Sequence, residues 1–509
     1  MKAKNLLFPF FFIFPLFTAA AQEEDISADG SHSEIVYVIR SIDFAIEGRT
    51  RESALAYYGE FKAGERIAGR ENFEKYLSEK QQLITNKRNH DHVSIDYTLG
   101  EAEEGGILPV DLLVSVSDTW NFVILPEPKY DSNEGFSLTL KARDYNFLGT
   151  MNPLRLDIGY LFSTENKNVF KLSLDSDTPF YAAGLRWNLN FDNIFNYIVG
   201  DPLEYKNITG VSVELPAGFT TVTVGIDQYL VINEENGAEN KVKYNLSDDR
   251  LEGAYAATQL YSSWKIPTGF FIDKYGEVKY VPGVSGKIAY RSGGVDEPRR
   301  PIVSLSQSLG FGRINWIGNY RSGLEASIGN TNNFYFDPND YLIYINAGVT
   351  LHHRFMELLG ISSRLQYRHW FHGLKYDAAD LIRGFPTNNL RAENMLSINL
   401  DLPFRLVRFA PSEWLDNRKL RLFNFEMHLS PFMDISLMNG YQIPFTGQTG
   451  EKISFGDILF GSGFEIIAFP DFFKSFYIRA SAGYNMNKII NTHNIPKWDE
   501  LFIGIGHHY

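Results

Sequence analysis

Few residues in this chain carry chemistry, and the most suggestive are an arginine and two aspartates. Arg383 stands in Ile382-Arg383-Gly384-Phe385, Asp401 in Asn399-Leu400-Asp401, and Asp434 in Phe432-Met433-Asp434. A guanidinium engages a carboxylate through two parallel hydrogen bonds, so one cation and two anions can make an anchor. Such an anchor holds a loop and breaks no bond. There is no P-loop, and Gly283-Val284-Ser285-Gly286 misses the spacing of a nucleophile elbow. Histidines occur at His352-His353, at His369 and His372, and at His507-His508. Neighbouring residues on a strand point to opposite faces, so these pairs are poorly placed to share a metal ion. No enzyme activity and no cofactor are expected. The absence of cysteine excludes disulfides and thiolate metal sites. A formal net charge of −13 argues against nucleic acid as a partner.

The elements that would position the arginine and aspartates read as strands. From Gly135 onward, short alternating runs recur without helical period. Examples are Leu154, Leu156, Ile158 and Tyr160, then Leu185, Trp187, Leu189 and Phe191, then Val222, Val224 and Ile226. About 16 strands can be drawn over residues 135–509, each near the roughly ten residues that cross a bilayer as a tilted strand. One stretch fits badly: Asp192 to Gly218 falls where a short turn is expected and is far too long. Aromatics make up 15% of the residues, as expected where rings form girdles at two lipid–water interfaces. A mean hydropathy of −0.21 suits strands that alternate lipid-facing and lumen-facing side chains. The expected fold is a transmembrane β-barrel of antiparallel strands, with a soluble β-sandwich as the alternative.

A smaller unit precedes the barrel. Residues 1–21 read as an export signal, with Lys2 and Lys4, an apolar run from Leu6 to Phe17, and Ala19-Ala20-Ala21 before Gln22. That run is shorter than the ~20 residues of a spanning helix. Residues 22–33 would be a linker, and residues 34–126 a small α+β domain. Ile42, Phe44 and Ile46 alternate as a strand, and Thr50 can cap a helix that includes Leu55 and Tyr58. Phe73, Tyr76, Leu77, Leu83 and Ile84 fall on one face of a second helix. Val93, Ile95, Tyr97 and Leu99, and then Val110, Leu112, Val114 and Val116, make two further strands. The expected order is β-α-α-β-β.

Several of these segments, in this order, resemble the BamA/TamA family of outer-membrane assembly proteins. Asp144-Tyr145-Asn146-Phe147-Leu148-Gly149 looks like that family's turn after the first barrel strand. Ile382-Arg383-Gly384-Phe385 is similar to the motif at the tip of its sixth outer loop, which folds back into the lumen. Asp401 aligns with an acidic position on the next strand. Phe432-Met433-Asp434 aligns with an F-x-D-x-G motif one strand further on, where Ser436 replaces the glycine. The N-terminal unit resembles a POTRA domain. The ending Leu501, Ile503, Ile505, His507 and Tyr509 resembles a C-terminal β-signal, with His507 departing from the apolar pattern. Five strands can be drawn after Arg383, as in the family.

The resemblance implies a bacterial outer-membrane barrel with its N-terminal domain in the periplasm. Arg383 would pair in the lumen with Asp401 and Asp434, both projecting inward. The first strand, about Phe136 to Arg143, and the last, about Glu500 to Tyr509, would close the barrel at a seam that can template a client strand. The implied partners are outer-membrane lipid, unfolded outer-membrane or exported clients, and periplasmic chaperones or lipoproteins. The family's central assembly protein typically carries several POTRA domains. One such unit here points to a reduced or accessory member. A transport pore, surface receptor or surface antigen is the alternative.

Overall fold

The computed structural model describes residues 35–509 apart from 104, 132–134, 164–167, 200–202, 234–253, 273–274, 292–300, 337–338, 372–375, 378–380, 386–390, 440, 444–447, 451–457, 493–499 and 506–509. The expected export signal and linker, and the terminal His507 and Tyr509, lie outside the described residues.

The N-terminal domain runs β1 (Val36–Glu47), α1 (Glu52–Tyr58), β2 (Arg66–Ala68), α2 (Arg70–Thr85), β3 (His90–Leu99) and β4 (Ile107–Asp118). Its sheet order is β2-β1-β4-β3, with β1 and β4 parallel. The alternating Val110, Leu112, Val114 and Val116 of β4 face the helices, where Leu55, Phe73 and Ile84 are buried against the sheet. Phe73 stacks on Tyr37 with ring centres 4.4 Å apart. Burying side chains of this size contributes about 1.5–3 kcal/mol each. Two details differ from the sequence reading. The three-residue β2 pairs with the edge of β1 between the two helices. Thr50 does not cap α1, whose first turn has no side-chain cap; its hydroxyl is engaged elsewhere, as described below.

Most of the rest of the described chain closes into one antiparallel barrel of nineteen strand segments, and Tyr376–Asp377, Arg391–Ala392, Tyr441–Ile443 and Gln448–Gly450 form a separate small sheet. Asn394–Asp401 and Phe404–Phe409 are two halves of one strand, since both pair with Phe425–Asn439 on either side of Pro403. Among the described residues the barrel therefore has eighteen strands, where about 16 are expected from the sequence. Two strands were hidden in the sequence. The first barrel strand is β5 (Phe122–Asp131), which starts inside the range assigned to the soluble unit. Pro126 and Pro128 disguise it, because proline normally argues against a strand. It is followed by β6 (Gly135–Asp144), β7 (Leu154–Ser163), β8 (Val169–Ala182), β9 (Leu185–Ile198) and β10 (Glu204–Ala217). The troublesome stretch from Asp192 to Gly218 is the end of β9, a short link and all of β10. Its polar start, Glu204-Tyr205-Lys206-Asn207, gave no alternating signal. Among the described residues no helix is long and apolar enough to cross a membrane.

The turn between β6 and β7 does not project freely but enters the N-terminal domain. The Asn146 amide donates to the Thr50 hydroxyl at 2.7 Å and to Asp118 at 3.2 Å, and its oxygen accepts from the Met151 N–H at 2.9 Å. Asp118 also accepts from the Thr50 hydroxyl at 2.6 Å and from the Arg49 N–H at 2.7 Å. His90 Nε2 lies 3.4 Å from Asp118 and 3.2 Å from Thr50. Met151 joins the apolar cluster around Leu55. Gly149 has φ +74°, and a Cβ there would sit 2.1 Å from the Arg49 carbonyl, so only glycine allows this approach. Other contacts with the barrel rim are Asn86 to Asn315 at 2.9 Å, Thr119 to the Phe472 carbonyl at 3.0 Å, and Arg421 to Asp91 at 2.8 Å.

Burial pushes the His90 pKa below its usual value, against the opposing pull of Asp118. Once released from the joint, the ring would take a proton at about 6.5. The closed state binds fewer protons between that value and its own lower pKa, so the Thr50–His90–Asp118 cluster, on which the Asn146 turn docks, loosens as pH falls through this window. Limited proteolysis at the joint, normalised at each pH to cleavage of an unfolded substrate by the same protease, should accelerate on acidification from about pH 7.5 to about pH 5, and His90→Gln should flatten that dependence. A wild-type joint equally resistant at both pH values would contradict this account.

Candidate functional site

Alternation along two adjacent strands aims the site's carboxylates inward. In Asn394–Asp401, Leu396 and Ile398 are exposed on the outer face while Ser397, Asn399 and Asp401 are buried on the inner face. In Phe425–Asn439 the buried set is Glu426, His428, Ser430, Phe432, Asp434, Ser436 and Met438. The strands pair with Asn399 opposite Asp434 and Asp401 opposite Phe432.

Arg383 enters this inner face from the preceding loop and is 2% exposed. Its Nε and Nη2 donate to the two oxygens of Asp434 at 2.9 and 2.6 Å, the two-point geometry that a planar fork permits. Its backbone N–H donates to Asp434 at 2.8 Å. Nη1 donates to Asp401 at 2.7 Å and to Glu465 at 3.3 Å. The guanidinium lies over the Phe432 ring, 3.8 Å from its centre. The arginine and the two aspartates singled out in the sequence thus meet in one cluster.

Two members of the cluster carried no recognisable motif. Glu465 lies in Leu459–Pro470, which pairs with Phe425–Asn439, and Arg479 lies in the next strand, Ile478–Asn485. Arg479 donates to Glu465 at 3.0 Å. The network therefore crosses four consecutive strands. The only signal for Glu465 was an acid at an inward position of an otherwise apolar alternating run.

The remaining motif residues fix the loop tip. Gly384 has φ +83°, and a Cβ would come within 2.5 Å of the Tyr484 carbonyl. Gly461 faces the Arg383 carbonyl, 2.0 Å from where a Cβ would be. Phe385 is buried with Leu381, Ile382, Met395, Met438 and Leu459. Asn399 donates to the Leu381 carbonyl at 3.0 Å. Among the described residues no group of histidines and carboxylates is placed to hold a metal ion.

The other predicted site residues are elsewhere. Asp144, Asn146, Phe147, Leu148 and Gly149 form the turn after the second barrel strand, not the first, because β5 precedes it. Asp144 accepts from the Asn146 N–H at 3.1 Å and pairs with Arg49 at 3.2 Å, so the turn belongs to the joint with the N-terminal domain. The last barrel strand, Glu500–Ile505, places Leu501, Ile503 and Ile505 opposite Ala482, Ala480 and Ile478. Its other neighbour is β5, not the 136–143 segment expected from the sequence. Pro126 and Pro128 lack an N–H, yet the ladder from β5 to β6 is regular across both. Their missing donors are therefore lost on the edge that faces Glu500–Ile505.

No protein-family profile matches the chain, and no curated protein matches it in sequence. Among solved structures, CdiB from Acinetobacter baumannii is similar at 14% identity and a TM-score of 0.46, covering 93% of this chain and 73% of that one. BamA from Haemophilus ducreyi lacking POTRA domains 1–3 is similar at 11% identity and a TM-score of 0.34, covering 94% of this chain and 85% of that one. The siderophore receptor PirA from Acinetobacter baumannii is similar at 10% identity and a TM-score of 0.30, covering 87% and 72%. These likenesses are slight, and the barrel stands on its own strand pairing.

Arg383→Ala leaves Asp401 and Asp434 facing each other without their cation, while Glu465 keeps Arg479. Breaking a buried pair in this way costs about 3–5 kcal/mol. The segment around residues 381–385 should become protease-sensitive and the barrel easier to unfold by heat. Arg383→Lys should restore only part of the loss, because an ammonium cannot bridge Asp434 and Asp401 in one plane. An alanine variant as resistant as wild type would refute the anchor.

Proposed function

We propose that this chain is a bacterial outer-membrane barrel protein that inserts or translocates other polypeptides, an accessory relative of the BamA/TamA type. The observation that carries this reading is the anchored loop tip. Arg383 is held inside the barrel by Asp434, Asp401 and Glu465, on the strands that lead to a proline-bearing seam. A seam short of donors is a place where a client strand can pair with β5 or with Glu500–Ile505, since unsatisfied strand edges are templates.

The outer surface supports a membrane setting. Leu138, Leu140, Leu260, Ile288, Leu305 and Ile328 are exposed on different strands, a belt of apolar side chains that water would not favour. In this reading residues 1–21 are an export signal, the N-terminal domain is a POTRA-like module in the periplasm, and the partners are lipid and unfolded client polypeptides. Periplasmic chaperones or lipoproteins would deliver those clients.

A pore or receptor is the second reading, favoured by the width of eighteen strands, a size at which barrels leave an aqueous channel. One reconstitution separates the two. The purified full chain in lipid vesicles should accelerate the folding of an urea-unfolded client barrel over empty vesicles. Ion conductance with no acceleration would overturn the assembly reading in favour of the pore.

A further inference from the structure

The connection between the strands Phe404–Phe409 and Phe425–Asn439 is built inside out for a loop in water. It carries a short helix, Pro411–Trp414, and a turn of 3-10 helix, Arg418–Phe423. Its buried members are small or polar. Ala410 and Pro411 are buried. So is Asn424, whose amide donates to the Ser412 hydroxyl at 2.6 Å and whose oxygen accepts from the Ser412 N–H at 3.2 Å. Its large apolar members are on the outside. Trp414, Leu415, Leu422 and Phe423 are between 57% and 68% exposed. A single exposed apolar side chain is ordinary, but four on one short connection, around a polar interior that is already satisfied, mark a surface that something covers.

The position of the connection says what covers it. It lies at the end of the barrel that carries the N-terminal domain, where Arg421 pairs with Asp91 at 2.8 Å. It also continues the outer face of the wall. On the strand Phe425–Asn439, Glu426 and His428 belong to the buried inner set, and Phe425, which pairs with Phe409, belongs to the outer one. The Phe409 ring lies 5.5 Å from that of Phe425 and meets Trp414 edge to face at 5.1 Å. Leu406 and Val407 of the same strand are exposed too. The apolar surface thus runs without a break from the wall onto the connection. Its charges are few: Glu413 is paired with Arg408 at 2.6 Å, which leaves Asp416 against the exposed Arg418 and Lys419.

We propose that the connection from Ala410 to Asn424 is an interfacial foot, sunk into the leaflet of the bilayer nearest the N-terminal domain. Trp414, Leu415, Leu422 and Phe423 would lie at the boundary of headgroups and acyl chains, where tryptophan is favoured and an apolar face can be buried. Arg418 and Lys419 would reach the lipid phosphates with their long stems along the apolar surface. Lipid is the occupant because the foot extends a wall whose outer side chains face lipid in the proposed setting. Through Arg421 and Asp91 the foot would also hold the N-terminal domain at a fixed height beneath the membrane. The inference rests on that membrane setting and not on the assembly activity.

The chain has no cysteine, so one introduced thiol takes a nitroxide label at one place. The variants are Leu415→Cys and Leu422→Cys on the foot, Leu260→Cys on the outer wall, and Asp43→Cys on the N-terminal domain; all four positions are exposed, so a label displaces no packed side chain. With the full chain in bicelles of phosphatidylcholine and phosphatidylglycerol, power saturation compares the label's access to oxygen with its access to a water-soluble nickel chelate. The oxygen-to-nickel ratio at 415 and 422 should exceed that at 43 by about tenfold or more, as for a label about 5–10 Å below the headgroups. A ratio at 415 and 422 equal to that at 43, with a lipid-like ratio at 260, would overturn the foot and keep the membrane barrel. A water-like ratio at 260 as well would overturn the membrane setting itself. Labels at 415 and 422 shielded from both reagents would mark a protein contact and overturn the assignment to lipid.

Discussion

A guanidinium placed where water does not reach must be met by carboxylates, and that requirement organises the inner face of this barrel. Leaving Arg383 unmatched would cost several kcal/mol. Four side-chain hydrogen bonds run from it to Asp434, Asp401 and Glu465, which come from three different strands. Arg479 then balances Glu465 from a fourth. The charges need the strand register as much as the register needs them, because a slip of one residue would turn every carboxylate to the outer face. The small residues follow from the same constraint. Gly384 and Gly461 are where the loop backbone lies against the wall, and a side chain at either would push the guanidinium away from its partners.

The joint between the domains obeys the same rule, with a side-chain amide at its centre in place of the guanidinium. Asn146 is fully buried, and each of its donors and its acceptor finds a partner on Thr50, Asp118 or Met151. A buried amide satisfied in this way fixes one geometry, because any rotation leaves a polar atom unpaired. The two polar clusters therefore hold the two pieces that would have to move if the barrel acts on a client: the loop inside the lumen and the domain at its rim.

Much of the anchor was legible because strand alternation is a strong signal. Asp401 and Asp434 each interrupt an apolar run at a position whose neighbours face outward, and the short motifs around them marked the strands. Glu465 and Arg479 obey the same alternation, but no local motif distinguishes them from any acid or arginine in a strand. The strand β5 was lost because two prolines look like a break; they are tolerated at the seam, where the ladder to β6 does not need their N–H groups. Thr50 read as a helix cap because capping is local chemistry, whereas its actual partners, Asp118 and Asn146, arrive from distant sequence.

The central claim is that Arg383 and its carboxylates act as one unit. The most direct test is a double-mutant cycle of Arg383→Ala and Asp434→Ala, with stability read from urea unfolding of the barrel in detergent. The account predicts that the double variant loses less stability than the sum of the two single losses, with a coupling of about 2–3 kcal/mol. Losses that simply add would show that the two residues stabilise the barrel independently, and the anchor as described would be wrong.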